Sequence, residues 1–256
     1  MLSRERIEWI DYLKAIGIIL VSFGHILGSL SKDIYTNNLL LICYSIELPI
    51  FFLLSGLQIK LFKKNASITL VDFIKKRSKR ILWPFFTMSL VYIGLDLFIV
   101  LCKLLIINVN QISLVYYDVI DTFTLWGVGA LWFLPVLFFV EIICYILLYD
   151  YENIPVNIRC VKISVFVMLS FLGIHLGAAL EYKYEAFLLH DASIIDYTLC
   201  HMSRVLVASS FSLIGYFMTL PVVKAISYMQ EVKVRKILTG GGNPSCNSWM
   251  LYCHVK

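Results

Sequence analysis

Long apolar runs separated by short polar segments form the main pattern of this chain. A helix that crosses a bilayer needs about 20 predominantly apolar residues. Runs of about that length lie at residues 10–30, 39–59, 81–106, 123–149, 161–180 and 204–223. We therefore predict an all-α fold, a polytopic transmembrane bundle of about six membrane helices. Residues 224–256 contain no comparable run and are expected to form a short tail outside the membrane.

The composition supports this class. Of the 256 residues, 60% are hydrophobic and 15% are charged, and the mean hydropathy is +0.82. Such values exclude an ordinary soluble domain. The net charge of +5 sits mainly between the apolar runs, so it indicates topology and predicts no nucleic-acid partner. The seven cysteines include no C-x-x-C pair, and neither a disulfide framework nor a metal site is expected.

The distribution of Lys and Arg predicts the orientation. Between the second and third runs, residues 60–80 hold eight basic residues against the single acid Asp72. The positive-inside rule places this segment, and with it the N-terminus, in the cytoplasm. The segments 31–38, 107–122 and 181–203 then face outward. The chain is thus expected to be a multi-pass protein of the cell membrane, in contact with the lipid bilayer.

The first apolar run carries Asp11, Lys14 and His25. An ionisable residue at the centre of a membrane helix costs roughly 2.5–3.5 kcal/mol on insertion scales, so such residues usually line a protein interior or a wet cavity. Projected on a helix, Lys14 and His25 share one face, and Asp11 lies in the same sector. The eleven positions between Lys14 and His25 correspond to roughly 16 Å of rise, so the two side chains serve two ends of one site or two purposes.

Small residues accompany this polar face. Gly17, Gly24 and Gly28 form an edge along which a neighbouring helix can approach closely. A snorkelling Lys and a hydrogen-bonded packing His are the simpler interpretation of the charged residues.

Three further stretches are candidates for the same site. Residues 47–56, Glu-Leu-Pro-Ile-Phe-Phe-Leu-Leu-Ser-Gly, place Pro49 inside an apolar run, which predicts a kinked or broken helix. Glu47 and Ser55 there are expected to line a site, although plain helix packing also explains the Ser-Gly pair. No G-x-S-x-G elbow surrounds the serine, which argues against a hydrolase nucleophile.

The second stretch, Lys75-Lys-Arg-Ser-Lys-Arg-Ile-Leu-Trp-Pro84, is either a topology signal that attracts anionic lipid or a surface for a polyanionic cytoplasmic ligand. Arg77 and Arg80 suit phosphate because their planar forks bind it bidentately. The third stretch, Gly127 to Pro135, contains Trp132 and predicts an interfacial or broken helix.

One group of polar residues shows no readable spacing. The outer segment 181–203 holds two histidines and two aspartates that match no metal-ligand pattern, and we expect them in a solvated loop. They are His190, Asp191, Asp196 and His201.

The order of these motifs resembles the integral-membrane acyltransferase 3 family, and most closely its fucose 4-O-acetylase-like sugar O-acetyltransferases. Asp-Tyr-Leu-Lys with His25, then Leu-Pro-Ile-Phe-Phe-Leu-Leu-Ser-Gly, then Lys-Arg-Ser-Lys-Arg-Ile-Leu-Trp-Pro, then Leu-Trp-Phe-Leu-Pro follow the family order over residues 4–223. The segment Ser209 to Tyr216 also resembles a family element. The family takes an acyl group, usually acetyl, from a cytoplasmic donor thought to be acetyl-CoA and places it on a carbohydrate hydroxyl at the outer face.

The resemblance implies roles for individual residues. Lys14 and His25 match a basic residue and a histidine eleven positions apart, with Lys where Arg is common. Arg77 and Arg80 match the basic motif before the proline. We expect Lys14, Arg77 and Arg80 to bind the donor's phosphates and His25 to act as general base, or to carry the acyl group covalently. No permanently bound cofactor is expected, and a bacterial cell membrane is implied.

The chain also departs from the family pattern. The family usually has about ten membrane helices, whereas six are predicted here. The change of character at residue 224 is what a frameshift or a premature stop would produce, so an inactive, truncated member is one alternative. A non-catalytic transporter or exporter subunit is another, although no internal repeat supports it. The acceptor sugar and the oligomeric state have no sequence signal.

Overall fold

The structure is a computed structural model, and it describes residues 8–30, 38–63, 69–107, 112–148, 151, 153–184 and 194–239. Within these ranges the chain consists of helices and turns and contains no strand. The helices are α1 Glu8–Leu30, α2 Asn38–Lys63, α3 Leu70–Arg77, α4 Trp83–Ile107, α5 Ile112–Phe123, α6 Phe133–Leu148, α7 Val156–Tyr184 and α8 Ile194–Thr239. A π-helical turn, Ser78–Leu82, joins α3 to α4, and a 3₁₀ turn, Gly129–Trp132, precedes α6.

Six helical segments in this part of the chain are long and apolar enough to cross a membrane. They are Glu8–Gly28, Asn38–Leu61, Leu70–Leu105, Gly129–Leu148, Val156–Leu180 and Ile195–Ile226. The predicted all-α, polytopic bundle is thereby confirmed. The spans agree with the apolar runs, but several begin earlier because polar residues occupy their first turns.

The segments between the predicted helices are more helical than expected. The basic stretch forms α3 and the π turn, so it continues directly into α4. A separate helix, α5, lies in the expected outer segment 107–122. The expected loop 181–203 is also partly helical, because α7 ends at Tyr184 and α8 begins at Ile194.

The two predicted helix breaks have different outcomes. The chain leaves helical geometry between α5 and the 3₁₀ turn, where Leu125, Gly127 and Gly129 have positive φ angles. A Cβ atom at Gly127 would lie 2.2 Å from the Trp132 Cα, so only glycine fits there. The predicted break before α6 is confirmed. In contrast, α2 is one uninterrupted helix through Pro49, so the alternative of a broken helix there is wrong.

The main core lies among α2, α6, α7 and α8. Its buried residues come from all four helices: Phe52, Ile59, Val136, Val140, Cys144, Leu148, Phe166, Val205, Ala208, Leu213 and Tyr216. Two glycines bring α2 and α8 into backbone contact. A Cβ atom at Gly56 would lie 1.7 Å from the Ser212 carbonyl oxygen, and one at Gly215 would lie 2.0 Å from that of Leu53. The Ser212 hydroxyl, in turn, donates to the Phe52 carbonyl at 2.8 Å.

Helix α1 packs along α2 through the predicted glycine edge. A Cβ atom at Gly17 would lie 2.8 Å from the Phe51 ring, and one at Gly24 would lie 2.7 Å from a Glu47 carboxyl oxygen. A Cβ atom at Gly28 would lie 2.6 Å from the Tyr44 hydroxyl oxygen. The expectation that these glycines admit a neighbouring helix is confirmed.

The chain divides into two compact units, residues 1–217 and residues 218–256. The first contains α1 to α7 and about half of α8, up to Phe217. In the second, the described part is the C-terminal section of α8, which ends at Thr239. The tail expected from residue 224 thus begins as helix, and residues 240–256 lie outside the described part.

Candidate functional site

Local backbone geometry sets the positions of Arg77 and Arg80. The Thr69 hydroxyl caps α3 by accepting from the Asp72 amide at 3.2 Å, which fixes where the basic helix begins. Beyond the other end of α3, Pro84 has no N–H group to donate to the carbonyl one turn earlier. The wider π turn, Ser78–Leu82, ends two residues before this proline. Such π turns are rare and often occur at functional sites.

Arg77 is held by an acid that the motifs did not include. Its Nε atom lies 3.0 Å from Oε2 of Glu141 on α6, and the Glu141 side chain is only 5% exposed. The Ser55 hydroxyl donates to the other carboxyl oxygen, Oε1, at 3.3 Å. A single carboxylate therefore joins Ser55 of the stretch 47–56 to Arg77 of the basic stretch 75–84.

Lys14 belongs to the same charged cluster. The charges of Asp11, Arg80, Glu141 and Arg77 all act on its half-buried ammonium group. Glu141 in turn is acted on by both arginines and by Lys14. The structure therefore brings together the three predicted donor-binding cations, together with the expected site-lining residues Asp11 and Ser55. We call Lys14, Arg77, Arg80 and Glu141 the charged cluster.

Glu141 was missed because it lies in the middle of an apolar helix and outside every motif. The signal was present in the sequence. Glu141 is the only charged residue in the span Gly129–Leu148, and an acid at that depth is a functional candidate by the same reasoning that selected His25.

His25 lies at the opposite end of α1 from the charged cluster. Its side chain is exposed, and its ring meets the Tyr44 ring edge-on, with 6.5 Å between the centroids. Tyr44 and Glu47 both face Gly24, the residue before His25. Glu47 is 4% exposed, and its Oε2 atom has no hydrogen-bond partner in the described part of the chain. The structure thus places His25 and Glu47 near each other and apart from the cations.

Trp132 lies in a third group, with Asp121 of α5, Trp126 of the following turn, and Tyr197 and Arg204 of α8. The Arg204 guanidinium lies 4.0 Å from the Trp126 ring centroid and 5.0 Å from that of Trp132. Tyr197 packs on Trp126 with 4.2 Å between the ring centroids, and its hydroxyl donates to Asp121 at 2.9 Å. Trp126 contacts both Arg204 and Tyr197. These contacts therefore indicate that the group packs the helices together. Trp132 contacts this group and the main core.

His201 adjoins the same group. Its ring lies 6.0 Å from that of Trp126 and 5.9 Å from that of Phe139, measured between centroids. Both ring nitrogens are buried and lack a hydrogen-bond partner in the described chain. The expectation that Asp196 and His201 lie in a solvated loop is wrong, since both are in α8. His190 and Asp191 lie outside the described residues.

The fold and the charged cluster define a polytopic helical membrane protein with a cationic site at one end of α1 and an isolated histidine toward the other. Residues 7–224 match the acyltransferase 3 family, described as an acyltransferase domain, and the chain belongs to this family. Neither the curated proteins nor the solved structures that were compared contain a match to the chain.

Proposed function

We propose that the chain transfers an acyl group, normally acetyl, from acetyl-CoA on the cytoplasmic side to a hydroxyl of a cell-envelope carbohydrate on the outer side. The family supports membrane acyl transfer in general. The donor, the acceptor and the likeness to sugar O-acetyltransferases are parts of the proposal. The observation that carries it is the division of α1 between a cationic end and a histidine end.

At the cytoplasmic end, Lys14, Arg77 and Arg80 bind the phosphates of coenzyme A. Two arginines and a lysine from different helices converge on one region, as the charge interactions show. Arginine forks suit phosphate groups, and lysine adds a mobile point charge. Because the positive-inside rule places the α2–α3 segment in the cytoplasm, the donor reaches these residues without crossing the membrane.

His25 acts at the other end, roughly 16 Å further along α1. The pantetheine arm of coenzyme A extends along the face that Lys14 and His25 share, so the thioester reaches the histidine. The imidazole removes the proton from the acceptor hydroxyl, and the oxygen attacks the thioester carbonyl. The tetrahedral intermediate then collapses, and the coenzyme A thiolate leaves and takes up the proton. Acyl transfer through a covalent His25 intermediate is the second form of this reaction.

Envelope analysis tests the proposal. Cells that express the chain are fed labelled acetate, and the alkali-labile acetyl esters of their polysaccharide fraction are compared with those of cells carrying an empty vector. We expect esters that depend on the chain and disappear in His25→Ala and His25→Gln. Wild-type ester levels in both variants would contradict the role of His25.

An exporter of lipid-linked saccharide is distinguished by reconstitution. In proteoliposomes loaded with labelled acetyl-CoA, the proposed enzyme releases free coenzyme A only when a sugar acceptor is supplied. An exporter moves saccharide without consuming the thioester. Saccharide movement with no coenzyme A release would therefore favour the exporter.

A further inference from the structure

Glu141 has no part in the reaction proposed above, yet it forms an ion pair with Arg77 and accepts a hydrogen bond from Ser55. Its side chain is 5% exposed, and both carboxyl oxygens have neighbours, Oε2 the Arg77 Nε atom and Oε1 the Ser55 hydroxyl. An acid beside an anion-binding site repels the ligand, so its presence there needs a reason.

The contact between α3 and α6 shows what the acid does. Phe73 on α3 stacks on Tyr145 on α6, with 4.2 Å between the ring centroids and 19° between the planes. Arg77 follows Phe73 by four residues, and Glu141 precedes Tyr145 by four, so each pair lies on one helix face. An aromatic contact and an ionic contact, one helical turn apart, therefore fix the register of the two helices.

The arginine is restrained from two sides. Its guanidinium lies 5.2 Å from the Phe73 ring centroid as well as 3.0 Å from Glu141. The acid is restrained in turn by Ser55, whose neighbour Gly56 lies in backbone contact with α8. A long, flexible side chain is thereby held in one place before any ligand arrives, which lowers the entropic cost of binding.

The geometry points to Glu141 as a positioning residue of the donor site, an inference that rests on the proposed function. Glu141 does not contact the donor. It holds the Arg77 guanidinium in the orientation that receives the coenzyme A phosphates, and its charge offsets the repulsion among Lys14, Arg77 and Arg80. The specific ligand class is a phosphorylated nucleotide thioester that enters from the end of the bundle where α1 begins.

The variant Glu141→Asp separates positioning from charge. Aspartate keeps the negative charge but is one methylene shorter, so it no longer reaches Arg77 Nε in the same geometry. We expect the affinity for coenzyme A, measured by calorimetry on the purified full chain, to fall about tenfold, because the ion pair that holds Arg77 is lost or lengthened. The KM for acetyl-CoA should rise by the same factor, with kcat unchanged.

A double-mutant cycle with Arg77→Gln is the second measurement. If Glu141 acts through Arg77, the double variant binds coenzyme A no more weakly than Arg77→Gln alone. Asp121→Asn is the matched control, because it changes another buried carboxyl that lies outside the cluster. This control should leave the affinity unchanged.

The outcomes are distinguishable. A tenfold loss in Glu141→Asp that vanishes in the Arg77→Gln background supports the inference. Unchanged or tighter binding by Glu141→Asp, additive losses, or a loss confined to kcat would overturn it while leaving the proposed function intact. If the wild-type chain does not bind coenzyme A at all, the donor site itself is wrong, and the role of Glu141 in it fails as well.

Discussion

At the scale of single residues, the ionisable side chains within the spans differ in whether they have partners. Glu141 forms an ion pair with Arg77 and accepts a hydrogen bond from Ser55, although its Oε2 atom, like Glu47 Oε2 and the two His201 ring nitrogens, has no hydrogen-bond partner in the described part of the chain. A buried polar atom without a partner costs about 1–3 kcal/mol. Removing a hydrogen-bonded group should therefore lower the stability of the fold, whereas removing a buried group without a partner should leave it unchanged or raise it.

His201 provides one such prediction. Replacing it with leucine removes two unpartnered nitrogens, so His201→Leu should unfold at the same temperature as the wild type or higher in a detergent melt. Tyr197→Phe is the contrasting variant, since it removes the hydroxyl that donates to Asp121, and it should lower stability by about 1 kcal/mol. A clear loss of stability in His201→Leu would contradict this expectation.

Asp118 on α5 predicts a dependence on pH. Burial, a hydrogen bond with Asp96 and the negative charges of Asp96 and Asp121 raise the pKa of Asp118 to about 6. The folded chain then retains a proton that the unfolded chain releases near pH 4, so this residue favours folding below about pH 4 and loses that contribution as the pH rises to about 6.

The variant Asp118→Asn tests this direction of the pH dependence of stability. The amide is uncharged and still forms hydrogen bonds, so the variant should melt at a higher temperature than the wild type at pH 7.5 and at a similar temperature at pH 4. Melting curves at the two pH values give the answer. An advantage that is equal at both pH values, or present only at pH 4, would contradict the assigned pKa.

At the scale of helices, close approach at glycine explains the Ser55–Gly56 pair that the sequence left ambiguous. Gly56 permits contact with α8, and Ser55 turns toward Glu141. Gly56→Ala should destabilise the chain by several kcal/mol, because the methyl group would overlap the Ser212 carbonyl and force the helices apart.

Gly94→Ala is the matched control within α4. No atom lies within 4 Å of a Cβ at that position, and alanine favours a helix over glycine by about 1 kcal/mol. The control should therefore be neutral or stabilising in the same melt. Similar melting temperatures for Gly56→Ala and the wild type would contradict the close α2–α8 contact.

The helices also show which parts of the fold could be predicted from the sequence. Apolar runs predicted the six spans, because a candidate span is recognised by its length and hydropathy, which the sequence gives directly. Helical periodicity predicted the glycine edge of α1 for the same local reason. The helical state of residues 70–80 and the helix α5 were not predicted, since polar and amphipathic segments lack the long apolar run on which the prediction relied. The depth of Glu141 in an apolar span marked it as a candidate, but its partners could not be predicted, because they lie 64 and 86 positions earlier in the chain.

At the scale of the whole molecule, the orientation in the membrane determines which end meets the donor. Single cysteines in a cysteine-free background test it with a reagent that does not cross membranes. Lys76→Cys on α3 should react only from the cytoplasmic side and Tyr116→Cys on α5 only from outside, since both side chains are exposed. Exchanged labelling would reverse the proposed route of the acyl group, and labelling of both sites from one side would contradict it.

The most direct test measures coenzyme A affinity and acetyl transfer side by side in His25→Gln and Arg77→Gln. The two variants should affect different steps, because they lie toward opposite ends of the site along α1. His25→Gln is expected to bind coenzyme A like the wild type while transfer falls at least about 100-fold, and Arg77→Gln is expected to lose about tenfold in affinity. The account is contradicted if His25→Gln transfers acetyl at the wild-type rate, or if it loses coenzyme A affinity while Arg77→Gln keeps it.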